Sequence, residues 1–462
     1  MSNNIVTCDG KTRFLIKRTI RYLYRNPEKH LPKMAHKVNG MVPDDLFPSQ
    51  RAQIMRIIDD KDNWYQLIMS VFDSVDPKVL CEMTETFGTN GSFIGYPEQC
   101  RNSQKYGCNI PWAILLDPTS ACNLHCTGCW AAEYGNKLNL SREDIQSIID
   151  QGKELGTFVY IYTGGEPLMR KKDLIGICED NQDCMFMCFT NATLIDDGFC
   201  DDIARVGNFL PVVSVEGTRE STDARRGKGT YDKIVRAFER MKAHRLIYGI
   251  SCCNTHENVD VVSSEAFYDQ MIAWGARFCW FFAYMPVGND ADTRLMNTAE
   301  DRRHMYERVR AFRATKPLLT LDFFNDGEYV GGCIAGGRRY LHINANGDVD
   351  PCVFIHYSDS NIHEKTLLEC LRAPLFQAYH DNQPFNANML RPCPVLDNPG
   401  RLTEMVNATE AHSTEMLSPE TPEHYTAKCE EAAKAWAPVS EELWKSKEHN
   451  PALWTDYSPS EE

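Results

Sequence analysis

The chain has 462 residues, enough for two or three domains, and its 43% hydrophobic content is ordinary for a globular protein. Forty-nine Lys and Arg against 64 Asp and Glu leave a formal net charge of −15, which repels phosphate backbones and disfavours a nucleic-acid partner. The 19 cysteines follow an N-terminus without an apolar h-region, and no stretch approaches the ~18 apolar residues of a membrane-spanning helix, so reduced thiols in a cytoplasmic protein are expected rather than a disulfide framework.

Residues 1–106 read as a helical N-terminal domain. Lys11 to Arg25 interleaves Lys11, Arg13, Lys17, Arg18, Arg21 and Arg25 with Phe14, Ile16, Ile20, Leu23 and Tyr24, and contains no acid. Two readings stand: a helix packed on its own core with a solvated basic face, or a peripheral membrane contact through residues 11–25. A further helical segment, Trp64 to Phe72, is expected to pack within this domain.

From residue 107 strands and helices alternate. Strands are expected at 112–116, 158–162, 185–189, 210–215, 248–252 and 277–284, and helices at 141–155, opened by the capping pattern Ser141-x-x-Asp144, and at 230–243. Six β-α repeats imply a parallel sheet with right-handed crossovers, curled as a partial (β/α)6 TIM-like barrel over residues 107–300. Ligands then belong at the carboxyl ends of the strands.

The first strand leads into Cys122-Asn-Leu-His-Cys126-Thr-Gly-Cys129. Thiolates select zinc, copper(I) or iron–sulfur clusters, and three of them on a cubane leave one iron open to chemistry. A structural zinc knot, with His125 as fourth ligand, is the plainer alternative. The second strand ends in Thr163-Gly164-Gly165-Glu166-Pro167, where glycines would let a ligand approach and a carboxylate can accept from an ammonium. The fourth ends in Ser214-Val-Glu216-Gly217, followed by Arg225-Arg226, which could equally be a solvated loop pair. The fifth carries Cys252-Cys253; a thiol facing the interior could donate a hydrogen atom, although a buried cysteine also serves as a small hydrophobe.

Beyond residue 300 the β-α repeat is expected to end. Cys333, Cys352 and Cys393 stand in the pattern C-x13-G-x4-C, a gap, then C, with Tyr340 to Val349 as a hairpin turning at Asn346-Gly347. Scattered core cysteines are the alternative. A charged, helical tail with Cys429, Trp436 and Trp444 occupies 418–462, and its end, Ser458 to Glu462, is expected to be disordered.

On C-x3-C-x2-C, Gly-Gly-Glu-Pro and the Ser214 to Arg226 stretch, the chain resembles the radical S-adenosylmethionine (SAM) enzymes over about residues 107–400. One departure is visible: the family's aromatic residue before the third cysteine is replaced by Gly128, and Trp130 follows the cysteine instead. The resemblance implies a 4Fe-4S cluster on Cys122, Cys126 and Cys129, with SAM chelating the open iron and its one-electron cleavage giving a 5'-deoxyadenosyl radical. It implies SAM contacts from Gly164, Gly165, Glu166, Asn191, Ser214 and Arg226, with Thr190 and Pro286-x-Gly288 as softer matches. The later cysteines resemble the twitch form of the SPASM auxiliary domain, which implies a small Fe–S domain over 301–417. Its second 4Fe-4S cluster would sit on Cys333, Cys352 and Cys393, with the fourth ligand open among Cys370, Cys429, a substrate or a non-cysteine side chain. Cys253 is the candidate catalytic thiol. An electron donor such as ferredoxin or flavodoxin is implied, and exposed clusters would suit an anaerobic cell. The resemblance leads to hydrogen abstraction from a peptide or protein side chain as first expectation and from a lipid or small metabolite at the membrane surface as second. A non-catalytic Fe–S or zinc-binding protein is the alternative of another class.

Overall fold

The apolar runs become strands of one sheet in the computed structural model, which describes residues 5–449. The strands are β1 (Ala113–Leu116), β2 (Val159–Tyr162), β3 (Met185–Thr190), β4 (Phe209–Ser214), β5 (Gly249–Asn254), β6 (Phe278–Ala283), β7 (Leu319–Asp322), β8 (Tyr340–Ile343) and β9 (Val349–Asp350). Every residue of β1 and β2 is buried, so these strands read as continuous apolar runs rather than as an alternation. The spatial order is β7-β6-β5-β4-β3-β2-β1-β8-β9. All neighbours are parallel except β8 and β9, a hairpin that turns at Gly347 with φ +87°.

The expected helices form where the sequence places them. Ser141 caps Arg142–Leu155 in a reciprocal box with Asp144, and Thr230–Ala243 buries Ile234, Phe238 and Met241. The sheet is larger than six β-α repeats, however. The helix Ala299–Arg313 leads into a seventh parallel strand, β7, and β8 adds to the free edge of β1 in register Ala113 with Tyr340. Residue 300 therefore falls inside a helix that supports the sheet, and the hairpin β8–β9, which lies between Cys333 and Cys352, belongs to the sheet as well. Short strands escape a periodicity reading when, like β7, they are only half apolar.

The N-terminal unit consists of α1 (Gly10–Arg25), α2 (Pro27–Asn39), α3 (Pro48–Asp60), α4 (Asn63–Ser74), α5 (Pro77–Met83) and α6 (Gly95–Tyr106), with a π-helical stretch Thr84–Ile94 before α6. Polar side chains lock it to the barrel. The Asn63 amide donates to Arg313 O (3.0 Å) and Lys316 O (2.7 Å), and the Gln99 amide to Gly156 O (2.8 Å). The C-terminal stretch forms the helix Glu430–Lys445, with Trp436 fully buried. The expected disordered end at Ser458 to Glu462 lies outside the described residues. Among the described residues no helix is long and apolar enough to cross a membrane, and no two cysteines form a disulfide.

Candidate functional site

The three clustered thiols sit on a loop pinned between the ends of β1, β2 and β4. Gly165 N–H donates to Thr119 O (3.0 Å), Glu166 N–H to Ala121 O (2.8 Å), and Thr127 N–H to Arg225 O (2.9 Å). A Cβ on Gly165 would stand 2.5 Å from Ser120 O, and one on Gly164, whose φ is +100°, 2.7 Å from Thr119 O. The two glycines are therefore needed for the strand end to approach the backbone just before Cys122, and not only to admit a ligand as their sequence suggested.

Cys122, Cys126 and Cys129 line one cavity of about 260 Å³, together with Gly164, Gly165, Glu166, Asn191, Arg226 and Cys253. The Glu166 carboxylate is buried and accepts from Leu168 N–H (3.0 Å), Thr190 Oγ1–H (2.7 Å) and Asn191 N–H (2.8 Å). Burial raises its pKa against those three donors. Asn191 in turn donates from its amide to Asn123 Oδ1 in the cysteine loop (2.8 Å). Glu166 thus ties the ends of β2 and β3 together, and Asn191 ties β3 to the thiols.

Arg225 and Arg226 are not a solvated pair. Their side chains keep 15% and 12% of their exposure and converge on Oε1 of Glu216, which is fully buried: Arg225 Nη1 at 2.6 Å, Arg226 Nε at 2.8 Å and Nη2 at 2.6 Å. Burial works to raise the Glu216 pKa, and the two guanidinium groups overcome it and hold the carboxyl below the usual range. Oε2 of Glu216 accepts from Cys253 N–H (3.2 Å), so the same carboxylate positions the thiol. Burial pushes the Cys253 thiol up to about 11, with Arg225 pulling the other way, so it stays protonated at neutral pH. Its neighbour Cys252 is fully buried in the core.

Ser214 and Pro286-x-Gly288 are not brought to this cavity; Ser251, paired with Ser214 across the β4–β5 ladder, lines it instead. His125 is exposed and also lies off it. Tyr284 at the end of β6 and Trp130 do line it, and no local motif marked Tyr284. Glu216 was visible only as a strand-end acid, since its role depends on two arginines one helix away.

Cys333, Cys352 and Cys393 line a second, largely apolar cavity of about 310 Å³. Tyr340 Oη lies 2.7 Å from Cys352 Sγ, and Val395 and Leu396 N–H point at Cys393 Sγ (3.4 and 3.3 Å). Trp280, Met285, Phe323, Ile334, Tyr340 and Phe354 line both cavities, so the two thiol sets share an aromatic wall. Cys370 and Cys429 are buried elsewhere and do not line the second cavity.

Comparison with known proteins fits this geometry. Residues 116–259 match the Radical SAM superfamily, and residues 333–394, which begin on Cys333 and end one residue past Cys393, match the iron–sulfur cluster-binding SPASM domain. The chain carries a radical SAM domain and a SPASM domain. It is 28% identical over 233 residues to the Fe-coproporphyrin III synthase of Methanosarcina barkeri, covering 47% of this chain and 57% of that protein. It is 29% identical over 278 residues to the mycofactocin maturase MftC of Mycolicibacterium smegmatis, covering 56% and 67%. The structure of Streptococcus suis SuiB bound to S-adenosylmethionine aligns with a TM-score of 0.55 at 19% identity over 64% of this chain and 75% of that one, a likeness of fold. The matched part thus spans little more than half of the first of these relatives.

The radical SAM domain implies a 4Fe-4S cluster and SAM, and the SPASM domain implies further iron–sulfur binding. The donor sets fit such groups in kind, because thiolates are the ligands that iron–sulfur clusters take and each cavity gathers three of them. The buried carboxylate of Glu166 and the guanidinium of Arg226 on one cavity also match in kind the ammonium and carboxylate of an amino acid.

Proposed function

We propose that the enzyme abstracts a hydrogen atom from a C–H bond of its substrate in the barrel cavity, and that Cys253 gives the hydrogen atom of its S–H to the resulting carbon radical, the thiyl left on Cys253 then taking one electron from an external donor of the ferredoxin or flavodoxin class and one proton from solvent. The observation that carries this reading is the meeting on one cavity of Cys122, Cys126 and Cys129 with Glu166, Arg226 and Cys253. When bound, a 4Fe-4S cluster with SAM supplies one-electron reductive cleavage of SAM and the capacity to take a hydrogen atom from an unactivated C–H bond. Cys122, Cys126 and Cys129 hold the cluster, Gly164 to Glu166 and Asn191 shape the amino-acid end of the SAM site, and Arg226 faces its carboxylate. Cys333, Cys352 and Cys393 hold the auxiliary cluster. The walls between the thiol sets are largely aromatic, from Phe189, Trp280, Phe282, Phe323 and Phe354.

The substrate we propose is a peptide or protein carrying an apolar or aromatic side chain. SuiB, whose fold this chain shares, has been solved with its precursor peptide SuiA. The second reading is a lipid or other small metabolite, supported by the same apolar walls and by the likeness to a porphyrin-handling synthase. The division into residues 1–106, 107–300, 301–417 and 418–462 is retained as a proposal for functional units, with β7 to β9 shared across its boundaries.

The test is anaerobic reconstitution, with iron and sulfide analysis and quantification of 5'-deoxyadenosine after SAM and dithionite are added. About eight irons per chain, and loss of deoxyadenosine in Cys126→Ala, are expected for two cubanes. Full iron loading with no SAM cleavage would overturn the reading.

A further inference from the structure

The basic N-terminal helix divides its charges between two faces. On the inner face of α1, Arg13 Nε donates to Glu85 Oε1 (2.6 Å), Lys17 Nζ stands 3.7 Å from Glu82 Oε1, and Ile20 and Leu23 are buried. Tyr24 Oη donates to Val75 O (2.8 Å), which completes the attachment. This face accounts for two of the six cations and for the helix's packing.

The outer face carries the other four. Lys11, Arg18, Arg21 and Arg25 are exposed, and none of them makes an ion pair or hydrogen bond with another described side chain. Between them Phe14 is 62% exposed, Leu15 48% and Tyr22 37%. At about 100° per residue these seven positions fall on one stripe roughly 120° wide. The segment entering the helix adds Ile5 and Val6, both exposed. Tyr22 stacks on His30 at 3.7 Å, but a merely solvated face would gain nothing from Phe14 and Leu15 placed among its cations, and in a chain of net charge −15 four cations with no acid among them are a strong local exception.

We infer that α1 docks the enzyme on an anionic lipid surface, with Phe14, Leu15 and Tyr22 entering the headgroup boundary and Lys11, Arg18, Arg21 and Arg25 facing lipid phosphates. The combination of cations with large apolar side chains in one stripe favours a lipid surface over a polyanion, which would use the charges and leave the apolar groups in water. The inference does not depend on which substrate the barrel takes.

The experiment is flotation of the full-length, cluster-loaded enzyme with vesicles of phosphatidylcholine alone and of phosphatidylcholine with 30 mol% (about a third) phosphatidylglycerol. Binding to the anionic vesicles only, weakened by salt, is expected. Arg18→Gln/Arg21→Gln/Arg25→Gln should lower partition about a hundredfold, at about a factor of five per basic residue near the surface. Phe14→Ser/Leu15→Ser should lower it while leaving the charge unchanged. Thermal melting of both variants, which alter exposed residues alone, verifies folding. No flotation with anionic vesicles would overturn the inference, as would flotation that either variant leaves unchanged. Concentration-dependent self-association that both variants abolish would assign the stripe to a second copy of the chain, and would overturn it too.

Discussion

Gly128 lies against the ring of Tyr284: a Cβ at residue 128 would stand 2.5 Å from Tyr284 Cε2, and the backbone there has φ +64°. The motif's missing aromatic is thereby explained. A ring arrives from the end of β6 and fills the space beside the third cysteine, so the residue before Cys129 has to be small and able to adopt the left-handed region. Gly128→Ala is expected to cost about 1–3 kcal/mol through overpacking and backbone strain, and to lower iron loading at Cys122, Cys126 and Cys129. Thermal melting with iron analysis checks both, and full iron content at unchanged stability would refute the packing account.

Cys253 holds its proton at neutral pH because burial outweighs the pull of Arg225. Cys253→Ala should therefore leave reductive SAM cleavage intact while abolishing return of a hydrogen atom to the substrate. With a substrate in hand, deuterium from solvent should enter the product of the native enzyme and not that of the variant. Deuterium incorporation that persists in Cys253→Ala would assign Cys253 to the core.

His342 links the two halves of the site. It is fully buried, with Nε2 3.0 Å from Asp117 before the first cysteine loop and Nδ1 3.2 Å from Asp350 before Cys352, and Trp130 packs edge-on against it at 5.6 Å. Burial works to lower its pKa, but Asp117 and Asp350 raise it to about 10. A histidine whose folded pKa is raised contributes stability that is complete below its unfolded value, about 6.5, and is lost as pH rises through the folded one. Melting temperature should accordingly fall between about pH 6.5 and pH 10. His342→Leu should flatten that fall and cost about 3–5 kcal/mol, since it leaves two buried carboxylates without their cation. A variant with the native pH profile would show that the charge does not matter.

Arg302 and Asp397 form a buried pair (2.6 Å) behind the second cavity, and Asp397 Oδ2 also accepts from Cys393 N–H (3.0 Å). The Arg302 guanidinium stacks over Trp436 at 4.3 Å, which ties the C-terminal helix to the cysteine loop. Arg302→Leu should destabilise the protein by about 3–5 kcal/mol and selectively reduce the iron held by the C-terminal thiols, from about eight to about four irons per chain. Equal loss from both sites, measured by iron analysis and electron paramagnetic resonance, would indicate general unfolding instead.

The sequence alone carried the chemistry that depends on close spacing. Three thiols within eight residues, a Gly-Gly-Glu-Pro strand end and a capped amphipathic helix are local patterns, and β1 and β2 were legible because a strand buried on both faces needs an unbroken apolar run. What only the tertiary structure decided depends on residues that meet from far apart in the chain. Arg225 and Arg226 look like a solvated pair until Glu216 is seen buried beneath them; Gly128 looks like a defect until Tyr284 arrives from 156 positions away. Likewise α1 is an undivided basic helix in sequence. Packing against Glu82 and Glu85 is what separates its paired cations from its free ones, because burial selects a face and periodicity by itself does not say which face is buried.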